Sequence, residues 1–218
     1  MTSSWQVILD AVPVLLEGSL ITLKIVSISL AIAFVIGLIS GLMSTSSNKL
    51  LRVPALFYVD LIRGTPLLVQ VFFIYLGLPV FLDIRIPAEA AGIAAISLNA
   101  GAYISEIFRG GINSIHRGQM EAARSLGMSR YLTMRLVILP QAIRRMTPAF
   151  VNQVIVSIKD TSLLSVIGIR ELTQSGEIII AENFRAFEIW GVVGIFYFII
   201  IYALSWLARR LERRFAVK

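Results

Sequence analysis

The chain has 218 residues, 57% hydrophobic and only 15% charged, whereas soluble domains run at roughly 45–50% apolar and about 25% charged, so it reads as a membrane protein. With no cysteine and one histidine, a thiol nucleophile, a disulfide framework and a thiolate metal site are excluded, and an imidazole-rich metal site has no basis. The net charge of +7 is spread along loops beside apolar segments, so it reports membrane topology and does not indicate nucleic-acid binding.

The first residues, "MTSSWQVILDAVPVLLEGS", carry no Lys or Arg before Lys24 and so lack the basic start of a secretory signal; no cleavage is expected. Asp10, Glu17 and Trp5 suit an interfacial segment leading into a first span over residues 18–43. Residues 25–48 are 24 residues without a charge, more than the ~20 that cross a bilayer core of roughly 30 Å. Gly37 and Gly41 form a GxxxG pair, which lets helix backbones approach closely. Packing within the chain is favoured over a subunit contact.

A second span is predicted over 55–78, since residues 64–82 are 19 residues free of charge. "IRGTP" at 62–66 lies near its inner end. Pro66 is tolerated near a helix start, and Arg63 either snorkels toward headgroups or pairs with Asp60 or a partner subunit. The third span, 88–110, is rich in small residues ("AGIAAISLNAGAY").

About 37 residues then separate spans three and four, too many for a hairpin. Gly118 and Gly127 bracket the helix-forming run "QMEAARSL". Ser129 can cap a second short helix, which Pro140 interrupts. Thr147–Pro148 then reads as N-cap and first position of span four, 148–169. The lone His116 is expected to be a solvated loop residue. The segment 111–147 is read as ordered, amphipathic and cytoplasmic, either lying on lipid or docking a soluble partner.

Span four carries Lys159 and Asp160 side by side in apolar chain. A charge at mid-bilayer costs roughly 2.5–3.5 kcal/mol on insertion scales, so each should face protein or a wet cavity. Helical neighbours diverge by about 100°, so each needs its own partner. One reading pairs them with Glu106 or Arg63 on other helices. The other places one or both in a translocation cavity, meeting the two charges of a zwitterionic amino acid. Asp160, Thr161 and Ser162 are also plausible caps, so the span could break there and aim a half-helix N-terminus at a carboxylate. Ser157 and Lys159 do not make a serine–lysine dyad, because i and i+2 point apart on a helix.

Residues 189–208, again 20 without a charge, give a fifth span over 188–209. With the N-terminus outside, the inner segments hold Lys49, Arg52, Arg109, Arg117, Arg124, Arg130, Arg135, Arg144, Arg145, Arg209, Arg210, Arg213, Arg214 and Lys218, and the outer ones only Arg85, Arg170 and Arg185. Fourteen against three fixes the N-terminus outside and the C-terminus in the cytoplasm.

Glu121-Ala122-Ala123, then Gly127, Val137 and Leu139-Pro140 at their spacing, resemble the EAA loop of bacterial ATP-binding-cassette importer permeases, with Val137 where that family usually has Ile. "IRGTPLLVQVFFIYLGLP", "LNAGAYISEIFRGGI", "IKDTSLLSVIGIRELT" and "LERRF" are similar to the polar amino-acid branch, and "ENFRAFEIW" brings the chain closest to glutamine permeases. The resemblance covers roughly residues 10–215.

It implies one all-α transmembrane domain over 1–218, of five helices in the type I (MetI-like) importer core, with a cytoplasmic coupling helix. Glu121 to Gly127 would be that helix, with Leu139 and Pro140 completing the ATPase-coupling set. Substrate contacts are implied at Asn99 and Tyr103 and on the segment Lys159, Asp160, Thr161 and Ser162. Implied partners are a second permease subunit, a homodimer being favoured over a heterodimer, two cytoplasmic ATPase subunits, an external binding protein and a polar amino acid. Glutamine leads arginine, histidine, glutamate and cystine as the expected substrate. The balance of one Lys and one Asp mildly favours a neutral side chain. The chain has no GxxxxGK[ST] loop, so ATP and Mg would be bound by the partner and this subunit holds no cofactor. A secondary carrier working without ATP is the rival reading. Such carriers usually fuse two inverted copies, and no second copy is present.

Overall fold

A computed structural model describes the backbone of residues 4–215 and the side chains of residues 4–210. Lys218, counted above for the inner tail, lies outside the described residues, as do the side chains of Arg213 and Arg214. All regular structure among the described residues is helical.

The opening helix α1 (Ser4–Ser44) runs unbroken for 41 residues, about 60 Å at 1.5 Å per residue. The N-terminal segment is therefore a continuation of the first span and not a separate interfacial piece. Its buried positions, including Ala11, Leu15, Gly18, Thr22, Ile25, Ser29, Ala33, Gly37 and Gly41, recur at steps of three and four and form one stripe of mostly small residues. From Ile25 onward that stripe lies along α5 (Ala88–Asn113). A Cβ on Gly37 would run into Ile104 and come 2.9 Å from Gly101 O, and one on Gly41 would sit 3.1 Å from Phe108 Cβ. The GxxxG pair is thus used within the chain. Phe34, Phe108 and Phe150 pack with ring centroids 5.1–6.0 Å apart, holding α1 and α5 to span four.

Span two is not straight. Helix α2 (Lys49–Arg63) is followed at Gly64–Thr65–Pro66 by a 105° turn into residues 67–82. Proline at 66 forces Thr65 out of the helical region and ends α2 before it. Residues 67–82 comprise α3 (Leu67–Phe72), a π-turn (Phe73–Gly77) and α4 (Leu78–Leu82).

A second π-turn, Met134–Ile138, joins α7 (Arg130–Thr133) to α8 (Leu139–Asp160). Each π-turn ends immediately before a Leu-Pro pair, Leu78–Pro79 or Leu139–Pro140. A proline ring crowds the carbonyl four residues earlier and supplies no N–H. The wider winding absorbs that clash, and the preceding Leu N–H bonds five residues back, Leu78 to Phe73 O and Leu139 to Met134 O. Pro140 therefore rewinds the helix without interrupting it.

Two expectations for span four are corrected. Helix α8 begins at Leu139, so Thr147–Pro148 is interior; the Thr147 hydroxyl donates to Ile143 O at 2.9 Å instead of capping. At the far end the chain passes from α8 directly into a 3₁₀ segment, Thr161–Ile167. No half-helix N-terminus forms there: the Thr161 and Ser162 hydroxyls point back to Ile158 O and Lys159 O, each at 2.7 Å. Asp160 makes no capping bond.

The 3₁₀ segment is wedged against α1, α3 and α5 by Leu164, Ile167 and Ile169, which pack with Ile25, Val71, Ala91 and Ile96. Helix α9 (Leu172–Asn183) and the final helix α10 (Ala186–Phe215) close the bundle against the start of α1, with Leu15, Leu172, Ile189 and Val193 in the contact. Among the described residues, four helices are long and apolar enough to cross a membrane, and there are five spans when the bent pair is counted as one. The large apolar side chains left outward, such as Leu20, Phe34, Phe57, Phe198 and Ile199, are what a lipid-facing surface requires.

Candidate functional site

The polar groups of the bundle converge where span two bends. A cavity of about 580 Å³ opens there, lined by Arg63 and the turn 64–67, by Asn99 and Tyr103 of α5, and by Asn152, Gln153, Val156 and Asp160 of α8. The bend itself is braced by Gln70. Its Nε2 donates to Ile62 O (2.8 Å), Thr65 O (3.1 Å) and Thr65 Oγ1 (2.9 Å), and its Oε1 accepts from Asn99 Nδ2 at 3.1 Å. Carbonyls freed by the turn are thus satisfied inside the protein, as a spanning segment demands.

Arg63 neither snorkels nor pairs with Asp60. Its Nη1 lies 3.0 Å from Glu106 Oε2, and its guanidinium stands 5.3 Å from the Tyr103 ring centroid. Arg109 takes the same carboxylate from the other side, Nε to Oε1 at 2.8 Å and Nη2 to Oε2 at 2.7 Å. Glu106 and Arg63 therefore satisfy each other and are not the partners of Lys159 and Asp160. Lys24 is likewise engaged, 2.6 Å from Glu89 across α1 and α5.

Of the six residues expected to meet substrate, the structure brings Asn99, Tyr103 and Asp160 to the cavity. The other three do not line it. Lys159 is exposed and faces away from the cavity, as the helical step from Asp160 requires. Thr161 is fully buried behind Asp160, and Ser162 spends its hydroxyl on the helix backbone. Ser157 is buried and accepts from Gln153 Nε2 at 3.3 Å, so no serine–lysine pair exists. Sequence reasoning missed Thr65, Gln70, Asn152 and Gln153. A signal was there, since polar residues inside an apolar span seldom face lipid.

A second candidate surface lies at the basic end of the bundle. Helix α6 (Arg117–Ser125) is capped by His116, whose Nδ1 accepts from Gly118 N at 3.1 Å, so the histidine has a structural task beyond solvation. Its other end is a Schellman turn: Met128 N donates to Ala123 O (3.2 Å) and Gly127 N to Arg124 O (3.0 Å), with Gly127 at φ +82°. Ser129 caps α7 by accepting from Leu132 N. Ala123 is the buried residue of α6, while Glu121, Ala122 and Leu126 are turned outward. Leu139 and Pro140, at the start of α8, are exposed too. Ile115, Ile138, Ala142 and Met146 tie this knob to spans three and four. Arg145 also donates to Ser114 O. The knob is thus packed directly against the helices that line the cavity.

Residues 33–217 match the family described as binding-protein-dependent transport system inner membrane component. The chain is 50% identical over its full length, and that of the relative, to the glutamine transport system permease protein GlnP of Escherichia coli strain K12. It is 36% identical over 203 residues, 93% of each chain, to the putative glutamine permease GlnP of Rickettsia typhi. Among solved structures, an amino acid ABC transporter with histidines superposes with a TM-score of 0.93 at 40% identity, covering 98% of this chain and all of that one. The MetNI methionine ABC transporter shares the fold, with a TM-score of 0.79 at 22% identity over 94% and 97% of the two chains. A bent-span bundle of this shape, with a family match over residues 33–217 and a full-length match to a permease relative, places the chain: it belongs to the inner-membrane components of binding-protein-dependent transport systems, as an ABC importer permease.

Proposed function

We propose that the chain is the membrane subunit of an ATP-driven importer of polar amino acids, with glutamine as its substrate. The observation that carries this reading is the chemistry of the cavity at the bend: Asn99, Asn152 and Gln153 surround one unpaired acid, Asp160, while Arg63 is engaged by Glu106. Asp160 suits an α-ammonium group and the amides suit a carboxamide, while Arg63, held by Glu106 through Nη1 alone, keeps its other guanidinium donors at the cavity edge for the α-carboxylate. The half-buried acid is single, so an arginine or lysine side chain finds no second counter-charge. Full-length kinship to proteins named as glutamine permeases supports the same choice.

In this reading the N-terminus is outside, two copies of the chain form the path, and a binding protein delivers substrate at the outer face. Two cytoplasmic ATPases seat on the knob formed by Glu121, Ala122, Ala123, Gly127, Leu139 and Pro140. The small side chains of α6 keep it thin enough to enter a cleft, and Glu121 offers a charge to a basic partner. Swinging a two-state gate from about 1:99 to 99:1 requires about 5.5 kcal/mol of differential stabilisation, which ATP-driven closure of the partners supplies.

The test is reconstitution of the permease with its ATPase and binding protein in liposomes. Labelled glutamine should enter only with ATP inside, and unlabelled arginine, histidine, glutamate and cystine should compete weakly. Uptake without ATP would return the chain to the secondary carriers, and preferential uptake of another amino acid would overturn the glutamine assignment alone.

A further inference from the structure

The polar cavity at the bend is one of two along the seam between α5 and α8. A second, of about 290 Å³, is lined by Glu106, Gly110 and Ser114 of α5 and by Arg145 and Ala149 of α8. That is near the lower end of the roughly 300–1,000 Å³ of small-molecule sites. On α5 these residues follow Tyr103 at steps of three, four and four, and on α8 they follow Asn152 at steps of three and four. Such steps keep to one helix face, so the two cavities are successive stations on a single track. From Asn99 to Ser114 the track covers about 22 Å of α5 at 1.5 Å per residue.

Arg63 lies across the boundary. Its guanidinium stands 5.3 Å from the ring of Tyr103, which lines the first cavity, and its Nη1 is 3.0 Å from Glu106, which lines the second. The bridge is lopsided. Arg109 holds both oxygens of Glu106, Nε to Oε1 and Nη2 to Oε2, whereas Arg63 holds only Oε2. Removing one partner of an ion pair is costly when it leaves a charge unmatched. Here Arg63 can leave while Glu106 stays matched by Arg109, and a substrate carboxylate matches Arg63 in exchange.

Gly110 keeps the second cavity open. A Cβ there meets nothing within 4 Å, although one on the neighbouring Gly111 would run into Met146. Glycine inside a helix is unfavourable on its own account. Packing therefore explains Gly111, and the space beside it explains Gly110.

We propose that the Arg63–Glu106 bridge is the inner gate of the amino-acid path, and that the space at Glu106, Gly110 and Ser114 is the vestibule through which substrate leaves. The inference rests on the cavity at the bend being the substrate site and on the N-terminus lying outside, which puts Ser114 nearest the cytoplasm. The experiment uses the whole transporter in inside-out vesicles without ATP, with a cysteine reporter at Val156 in the first cavity, since the chain itself has no cysteine. A membrane-impermeant maleimide, followed on the permease band, should label V156C slowly. R63A/V156C and E106Q/V156C should label about tenfold faster, the scale of one hydrogen bond to a charged group. R63K/V156C should return to the slow rate, since lysine keeps a charge for Glu106 while losing the fork that a carboxylate needs. G110C should label fast with or without Arg63. In proteoliposomes, Gly110→Leu should assemble as the parent does yet lose most of the ATP-driven glutamine uptake.

Equal labelling of V156C with and without Arg63 would overturn the gate, as would unchanged uptake in Gly110→Leu, and either result leaves the cavity reading standing. Unchanged uptake in D160N would instead remove the cavity reading, and this inference with it. If R63A does not assemble, E106Q and R63K decide: no faster labelling in E106Q, or labelling in R63K as fast as in E106Q, overturns the proposal. Oxidative cross-linking of G110C between two copies would assign that face to a subunit contact and overturn the vestibule.

Discussion

At the scale of single residues, what matters is whether a polar or small side chain has a partner that justifies its place. Glu171 lies outside the spanning segments, and burial pushes its acid above the ordinary value of 4.5, outweighing the hydrogen bonds from Gln174, Tyr197 and Thr22 that pull it down. The protonated form is therefore favoured by folding, and that contribution is complete below the ordinary value and lost as pH rises through the raised one. E171Q does not titrate, so its melting temperature in detergent should gain on that of the parent as pH rises from about 4.5 upward; a gap that is flat with pH would contradict the shift. Gly37 makes the opposite point, a residue needed for what it lacks. Gly37→Leu puts a side chain where Ile104 and Gly101 O stand and should destabilise the bundle by at least the roughly 1–3 kcal/mol typical of overpacking, read as a lower detergent melting temperature. Sequence reasoning identified Gly37 from its spacing to Gly41, but it expected both Lys159 and Asp160 among the substrate contacts, and only Asp160 lines the cavity. Adjacent helix positions look equally buried on paper, and only the bundle decides which of the two faces inward.

Helical elements show how proline bends a path without ending it. In the sequence Pro140 reads as an interruption, because a proline inside a helix removes a bond. The π-turns at Phe73–Gly77 and Met134–Ile138 move the bond one residue back instead, and α7 and α8 continue as one rod. That continuity joins the knob to the cavity-lining helix. Gly127 ends α6 with a φ of +82° that proline, held near −65°, does not reach, and proline would also delete the N–H donated to Arg124 O. Gly127→Pro should leave the membrane bundle folded but separate ATP hydrolysis from uptake, seen as ATPase activity that no longer responds to loaded binding protein. Gly127→Ala should cost only about 1 kcal/mol and retain coupling. Unchanged coupling in the proline variant would count against the docking task of the knob.

For the whole molecule, the asymmetry of the basic residues predicts an orientation with the N-terminus outside. Because the sequence contains no cysteine, single cysteines can test it directly. One at exposed Leu126 should react with a membrane-impermeant maleimide only in inside-out vesicles, and one at Asp83 only in right-side-out cells. The reverse pattern would invert the topology and place the knob on the wrong face for ATP-hydrolysing partners. Arg63, Glu106 and Arg109 illustrate the same scale. Each is a bare charge in the sequence, and together they form one bridge between spans two and three, so none is left to be matched by Lys159.

By itself the sequence determined the membrane class, the apolar runs, the glycine contacts of the first span, the short capped helices of the inner loop and the family pattern. All of these depend on composition or on residues within about one helical turn. Tertiary structure alone decided the cavity at the bend, the pairing of Arg63 with Glu106 and the burial of Glu171. Each joins groups tens to well over a hundred positions apart, and in lipid such groups must find their partners across helices because no water is there to take their place.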